Sequence, residues 1–108
     1  MLKKENRLSK FGKIENLKSV SSPYFILKYK KGDEKTAHFG FIVSKKINKR
    51  AVVRNQVKRK LREIVVKNLE SVMSGTFFLI AREKSTEASF ENLDFSFKQI
   101  LKKEKLVK

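Results

Sequence analysis

The chain's 108 residues, 40% of them hydrophobic, are enough for one domain with a modest core, so 1–108 reads as a single unit whose residues 1–10 form a basic arm. A formal net charge of +16 calls for a polyanionic partner, while nine Phe and two Tyr make the chain too apolar to be disordered by charge. Absence of Cys excludes disulfides, thiol chemistry and zinc ribbons, and the basic N-terminus lacks the apolar core of a secretory signal. No stretch approaches the roughly 20 apolar residues of a membrane span, so a cytoplasmic protein with no membrane partner is expected.

Taken in chain order, residues 11–20 carry Ile14 and Leu17 at a three-residue step, which predicts a short helix ended by Ser21-Ser22-Pro23. Residues 24–29 (YFILKY) are aromatic and branched and predict a strand; the polar segment 30–35 with Gly32 is a turn. Residues 38–44 (HFGFIVS) predict a second strand with Phe39, Phe41 and Val43 on one face. Gly40, on the other, leaves room for a close approach. After a basic loop at 45–50, a long helix is expected over 51–74. Its residues Val53, Val57, Leu61, Ile64, Val65, Leu69 and Val72 fill less than half the circumference. Ser74-Gly75 stops it. Residues 76–81 (TFFLIA) are apolar on both faces, as a central strand is, and Ser89 reads as the N-cap of a last amphipathic helix to about residue 103. The result is an α/β sandwich (α+β), a small sheet packed by helices.

The side chains of a catalyst are sparse. His38 is the only histidine, and a lone histidine at a strand start is usually a surface or turn residue. Glu63, Glu70, Glu83, Glu87, Glu91 and Asp94 form no compact metal-binding pattern, and the last of these sit where a helix N-terminus favours acids. No phosphate-binding glycine loop or Ser/His/Asp set is present, so no catalytic residue and no metal ligand is expected in the protein itself. Most of the eleven aromatics belong to the expected core; Phe25, Tyr29 and Phe39 are the candidates for rings facing outward, where a base could stack.

The cations are organised. Lys45, Lys46, Lys49, Arg50, Arg54, Lys58, Arg59, Lys60 and Arg62 follow one another without an acid between Glu34 and Glu63. Arg54-Asn55-x-x-Lys58-Arg59-x-x-Arg62 repeats at helical steps, which lines these groups along one flank of the long helix, beside its core stripe. A solvated helix face normally mixes signs, and this one does not. Guanidinium next to carboxamide suits phosphate together with ribose or base contacts. The expected RNA-binding residues are therefore Lys45, Lys46, Lys49, Arg50, Arg54, Asn55, Lys58, Arg59 and Arg62. Charge alone leaves open a structural RNA-binding protein of ribosomal type or a nucleoid-type DNA binder.

The stretch from Phe39 to Glu63 resembles the protein subunit of bacterial ribonuclease P. The likeness rests on Gly40, Ser44, Lys45, Lys46, Ala51, Val52, Arg54, Asn55, Lys58, Arg59 and Arg62 at fixed spacing, and extends to Arg7-Leu8, Ser22-Pro23 and residues 78–82. That resemblance implies a ribosomal-protein-like fold, a small mixed sheet in which the basic helix makes a left-handed βαβ crossover. It implies a division of labour in which ribonuclease P RNA, with Mg2+, removes the 5′ leader of precursor tRNA. The protein, monomeric when isolated, would bind both RNAs and lower the Mg2+ requirement. A leader cleft is implied between the sheet and a first helix, here assigned to Phe25, Tyr29, Phe39, Ile14, Leu17 and Lys13. The chain departs from the family there: Ile14 and Leu17 stand in place of a Phe and a Val, a second aromatic is missing, and Arg7-Leu8 and Pro23 are closer by about one helical turn.

Overall fold

The structure is a computed structural model and describes residues 17–31 and 37–107. Four strands form one sheet: β1 (Lys18–Ser21), β2 (Phe25–Lys31), β3 (Ala37–Ile42) and β4 (Gly75–Ala81), in the order β1-β2-β4-β3. β1 and β4 both run antiparallel to β2, whereas β3 and β4 are parallel neighbours joined through helix α1 (Ala51–Asn68). Helix α2 (Phe90–Lys103) completes the fold. The expected α+β sandwich with a mixed sheet is what the chain forms.

Strand alternation decides which face the helices cover. Phe25, Leu27 and Tyr29 of β2, Phe39 and Phe41 of β3, and Phe77 and Leu79 of β4 are buried together with Val57, Leu61, Ile64 and Val65 of α1 and Leu93, Phe97, Ile100 and Leu101 of α2. Phe39 and Phe77, partners across the parallel pair, stack with ring centroids 4.9 Å apart. Each large apolar side chain taken from water here contributes about 1.5–3 kcal/mol.

The two helices are also tied by polar groups. Asp94 of α2 is only 7% exposed. Its Oδ1 accepts from Asn68 Nδ2 at 2.9 Å, and its Oδ2 lies 3.2 Å from Lys67 Nζ and 3.1 Å from Lys98 Nζ. Burial works to raise the Asp94 pKa. The hydrogen bonds from Asn68, Lys98 and Lys67 prevail and hold the carboxyl below its ordinary range. Asn68 also donates to the Ile64 carbonyl at 2.8 Å.

Two boundaries differ from the sequence reading. Residues 18–21 are not the end of a helix but an edge strand: Val20 pairs with Leu27 and packs on the core, with Ser19 and Ser21 on the other face. That is the two-residue alternation of a strand, written by a branched residue between serines. The long helix stops at Asn68 rather than 74, because Asn68 leaves helical geometry (φ −104, ψ 5) and residues 69–71 form a single 3₁₀ turn. The N-cap of α2 is as expected, with Ser89 accepting from the Asn92 amide.

At its other end α2 closes in a Schellman motif. The Leu106 amide donates to the Leu101 carbonyl at 2.8 Å and the Lys105 amide to that of Lys102 at 3.2 Å, with Lys105 left-handed at φ 56. Leu106 is fully buried, and Val107 bridges to Val72 just ahead of β4.

Candidate nucleic-acid interface

The cationic run begins at the end of the sheet where β3 finishes and continues along α1. Past Ile42 the chain turns at residues 45–47, with the Ile47 amide donating to the Ser44 carbonyl at 3.1 Å and Ile47 anchored against the core. Lys45, Lys46, Lys49 and Arg50 are left exposed on this turn. Asn48 shapes its exit: its Oδ1 accepts from the Arg50 amide at 2.9 Å, an Asx turn that delivers the chain into α1. The start of α1 has no side-chain cap and no acid in its first turn, so its partial positive charge adds to that of the loop.

Along α1, Asn55 and Arg59 are exposed and Arg54, Lys58 and Arg62 are half-buried. The core residues Val57, Leu61, Ile64 and Val65 fix the adjoining stripe of the helix, so the flank is a rigid row. Among the described residues, the ion pairs formed are those of Lys67 and Lys98 with Asp94; the side chains of the cationic run between Lys45 and Arg62 take part in none. A recess of about 550 Å³ opens against the helix beside Arg59, Arg62, Glu63, Val66 and Lys67. A pre-aligned set of guanidinium and ammonium groups without ion-pair partners is what a phosphodiester backbone selects.

The ribonuclease P family model matches residues 2–105. The chain belongs to the ribonuclease P protein family. It is 38% identical to the ribonuclease P protein component of Macrococcus caseolyticus over 95 residues, covering 85% of this chain and 81% of that protein. Identity to the Bacillus mycoides component is 35% over 109 residues, covering 94% and 93%. Among solved structures, a Staphylococcus aureus RNase P protein mutant with defective mRNA degradation activity superposes with a TM-score of 0.85 at 27% identity, covering 97% of this chain and 92% of that one. The RNase P protein of Thermotoga maritima gives 0.73 at 26% identity, covering 82% and 84%. The chain is thus a protein component of a ribonuclease that processes tRNA.

The aromatic residues assigned to a cleft from the sequence lie inside the fold. Phe25, Tyr29 and Phe39 face the helices and are 0%, 2% and 1% exposed, so none offers a ring to a base. They share the parity of Leu27 and Phe41, and that is the covered face. The opposite face carries Ile26, Lys28 and Lys30 of β2, His38, Gly40 and Ile42 of β3, and Thr76, Phe78 and Ile80 of β4. Its central aromatic is Phe78, paired with Lys28 on one side and Gly40 on the other, and it is 4% exposed without belonging to the core cluster. Gly40, its neighbour on β3, brings no side chain of its own to that side of the ring, the close approach its place in the sequence suggested. Leu17 is half-buried just ahead of β1; Ile14 and Lys13 lie outside the described residues. His38 is half-buried on the same face.

The donor set of the described residues provides no place for a metal ion. Among the described residues no three of His, Asp and Glu come together, and the buried carboxylate, Asp94, is already satisfied by Asn68, Lys67 and Lys98. The described side chains do not fit a protein-held Mg2+. Among them, no helix is long and apolar enough to cross a membrane.

Tyr29 has a polar task that its sequence position did not reveal. Its hydroxyl donates to Glu104 Oε1 at 2.7 Å, tying the end of β2 to the end of α2. Burial, then the hydrogen bond to Glu104 and that group's negative charge, push the phenol up to about 12.

Proposed function

We propose that the chain is the RNA-binding subunit of a ribonuclease P whose hydrolytic chemistry belongs to its RNA. In this reading Lys45, Lys46, Lys49 and Arg50 on the loop and Arg54, Asn55, Lys58, Arg59 and Arg62 on α1 hold the backbone of ribonuclease P RNA. Mg2+ is held by RNA rather than by protein carboxylates. The observation that carries this is the absence, among the described residues, of ion-pair partners for that cationic run, on a helix whose other side is locked into the core.

The 5′ leader of precursor tRNA would run along the sheet face that carries Lys28, where that lysine meets phosphate and the half-buried Ile26, Ile42 and Ile80 meet sugars and bases. This moves the leader surface to the side of the sheet opposite Phe25, Tyr29 and Phe39. Protein in place of divalent ions would screen phosphate repulsion between the two RNAs, so less Mg2+ would be needed for cleavage.

Reconstitution tests the reading. Mixing the chain with a bacterial ribonuclease P RNA and a labelled precursor tRNA should restore accurate 5′ cleavage at a Mg2+ concentration where the RNA alone is inactive. The protein by itself should leave the precursor intact. Cleavage by highly purified protein without RNA, or failure to stimulate the RNA at any Mg2+ concentration, would overturn it. The second outcome would return the chain to a structural RNA-binding role.

A further inference from the structure

The strands have two ends, and the cationic loop and the start of α1 occupy only one of them. The other end is where β2 finishes, β4 begins at Gly75 opposite Lys31, and β1 begins at Lys18 opposite Tyr29. A seven-residue strand rising ~3.3 Å per residue sets the two ends about 20 Å apart. At 0.1 M salt the Debye length is about 10 Å, so charges on the loop and the first turn of α1 are screened from charges at the second end.

This second end is itself basic. Lys18, Lys30 and Lys31 are exposed around a cavity of about 230 Å³ that they share with Tyr29. Tyr29 bonds to Glu104, which brings the last turn of α2 to the same place and with it exposed Lys105. The acid among these lysines, Glu104, has its Oε1 already engaged by the phenol. In sequence, residues 32–36 follow Lys31 and add Asp33, Glu34 and Lys35, which leaves the balance of the group positive.

Lys105 is the most telling of the group. It stands at the left-handed position of the Schellman motif, where glycine is usual because a side chain there costs about 1 kcal/mol. A lysine at that position keeps a charge at the expense of the backbone. Tyr29, 2% exposed, offers no ring surface, and the neighbouring cations are lysines rather than arginines. The chemistry fits phosphodiester groups as point charges, without base readout.

We infer that Lys18, Lys30, Lys31 and Lys105 form a second RNA-backbone site at the end of the sheet remote from α1's start, so that one protein bridges two RNA segments. The inference rests on the RNA-binding reading above. The phosphates it takes belong either to a second segment of ribonuclease P RNA or to the distal part of the precursor's leader.

The triple variant Lys18→Ala, Lys31→Ala, Lys105→Asn tests it, with Asn chosen because it tolerates the left-handed backbone. Lys18 and Lys31 share the strand parity of Tyr29, so they lie apart from the face that carries Lys28. Affinity of the full chain for ribonuclease P RNA, and of the reconstituted holoenzyme for a long-leader precursor, would be measured across a salt series. The slope of log affinity against log salt should fall by about 2 in one of the two titrations, at ~0.7–0.9 for each phosphate no longer neutralised. The titration that changes names the RNA. Because the chain has no native cysteine, a hydroxyl-radical probe on Lys31→Cys and another on exposed Val52→Cys at the start of α1 can each be placed uniquely. The two should cut different RNA segments. Unchanged slopes in both titrations, or cuts from position 31 that coincide with those from position 52, would overturn the second site. Failure of the unaltered chain to bind either RNA would overturn the underlying reading as well.

Discussion

Helix α1 has two charged flanks, one on each side of its buried stripe, and they are used in opposite ways. On the flank toward α2, Lys60 Nζ lies 3.4 Å from the Ala88 carbonyl, and Lys67 binds Asp94 and sits 5.6 Å from the Phe90 ring centroid. On the other flank Arg54, Asn55, Lys58, Arg59 and Arg62 have no such partner among the described residues. One set of cations is consumed in holding two helices together; the other is held ready by the rigidity that the first helps to provide. Charge in the composition is therefore a poor guide to function until each group's partner is known.

The contrast is broken most directly from the unpartnered side. Arg54→Ala with Arg59→Ala should weaken affinity for ribonuclease P RNA about a hundredfold, at ~1.5 kcal/mol for each charged hydrogen bond lost. Stability read from urea denaturation should move by no more than about 0.5 kcal/mol. A filter-binding titration and a denaturation curve on the same sample decide it, and an unfolded double variant would make those arginines structural.

The partnered flank should show the reverse. Asp94→Ala strands Asn68 and Lys67 and should cost about 2 kcal/mol of stability, with RNA affinity unchanged while the chain remains folded. The same carboxylate sets a pH dependence. Its folded pKa lies below the ordinary value of 3.8, so its stabilisation is complete above that value and fades as pH falls through the lower folded one. Acid unfolding followed by circular dichroism should lose that component in the Asp94→Asn variant; an unaltered acid limb would show that the Asp94 network contributes nothing to it.

The smallest effect is expected on α2's outer surface. Phe95 is 61% exposed, and Phe95→Ser should change neither stability nor RNA affinity beyond about 0.5 kcal/mol. A loss of RNA affinity in that variant would add α2 to the interface and end the simple division between the two flanks of α1.

Much of this is legible in the sequence where periodicity is long. Eighteen residues of 3.6-period pattern place α1 and its cationic flank, and Ser89 places the start of α2. What alternation cannot decide is which face of the sheet the helices cover. Residues 24–29 and 76–81 are apolar at both parities, so Phe25 and Phe77 are as eligible for the uncovered side as Ile26 and Phe78. Four-residue β1 reads as helix because Ile14 and Leu17 satisfy a helical step, and so short an element becomes a strand only through its pairing with β2. Asp94 likewise looks like an ordinary first-turn acid; nothing local announces that Asn68, 26 residues earlier, will reach it.

The order β1-β2-β4-β3 has a consequence for how the protein is made. Within the described sheet β3 pairs with β4 alone, and that strand begins 38 residues after β3 does, since Ala37 lies opposite Gly75. On the ribosome the basic loop and α1 are therefore synthesised before β3 has its hydrogen-bonding neighbour. For that interval the growing chain presents its densest positive charge without a finished sheet beneath it. Pairing at such sequence separation is slow, because the loop's entropy is lost before the contact forms. A polyanion that met the nascent helix then would neutralise self-repulsion while β4 arrived, and the same surface would serve assembly first and binding afterwards.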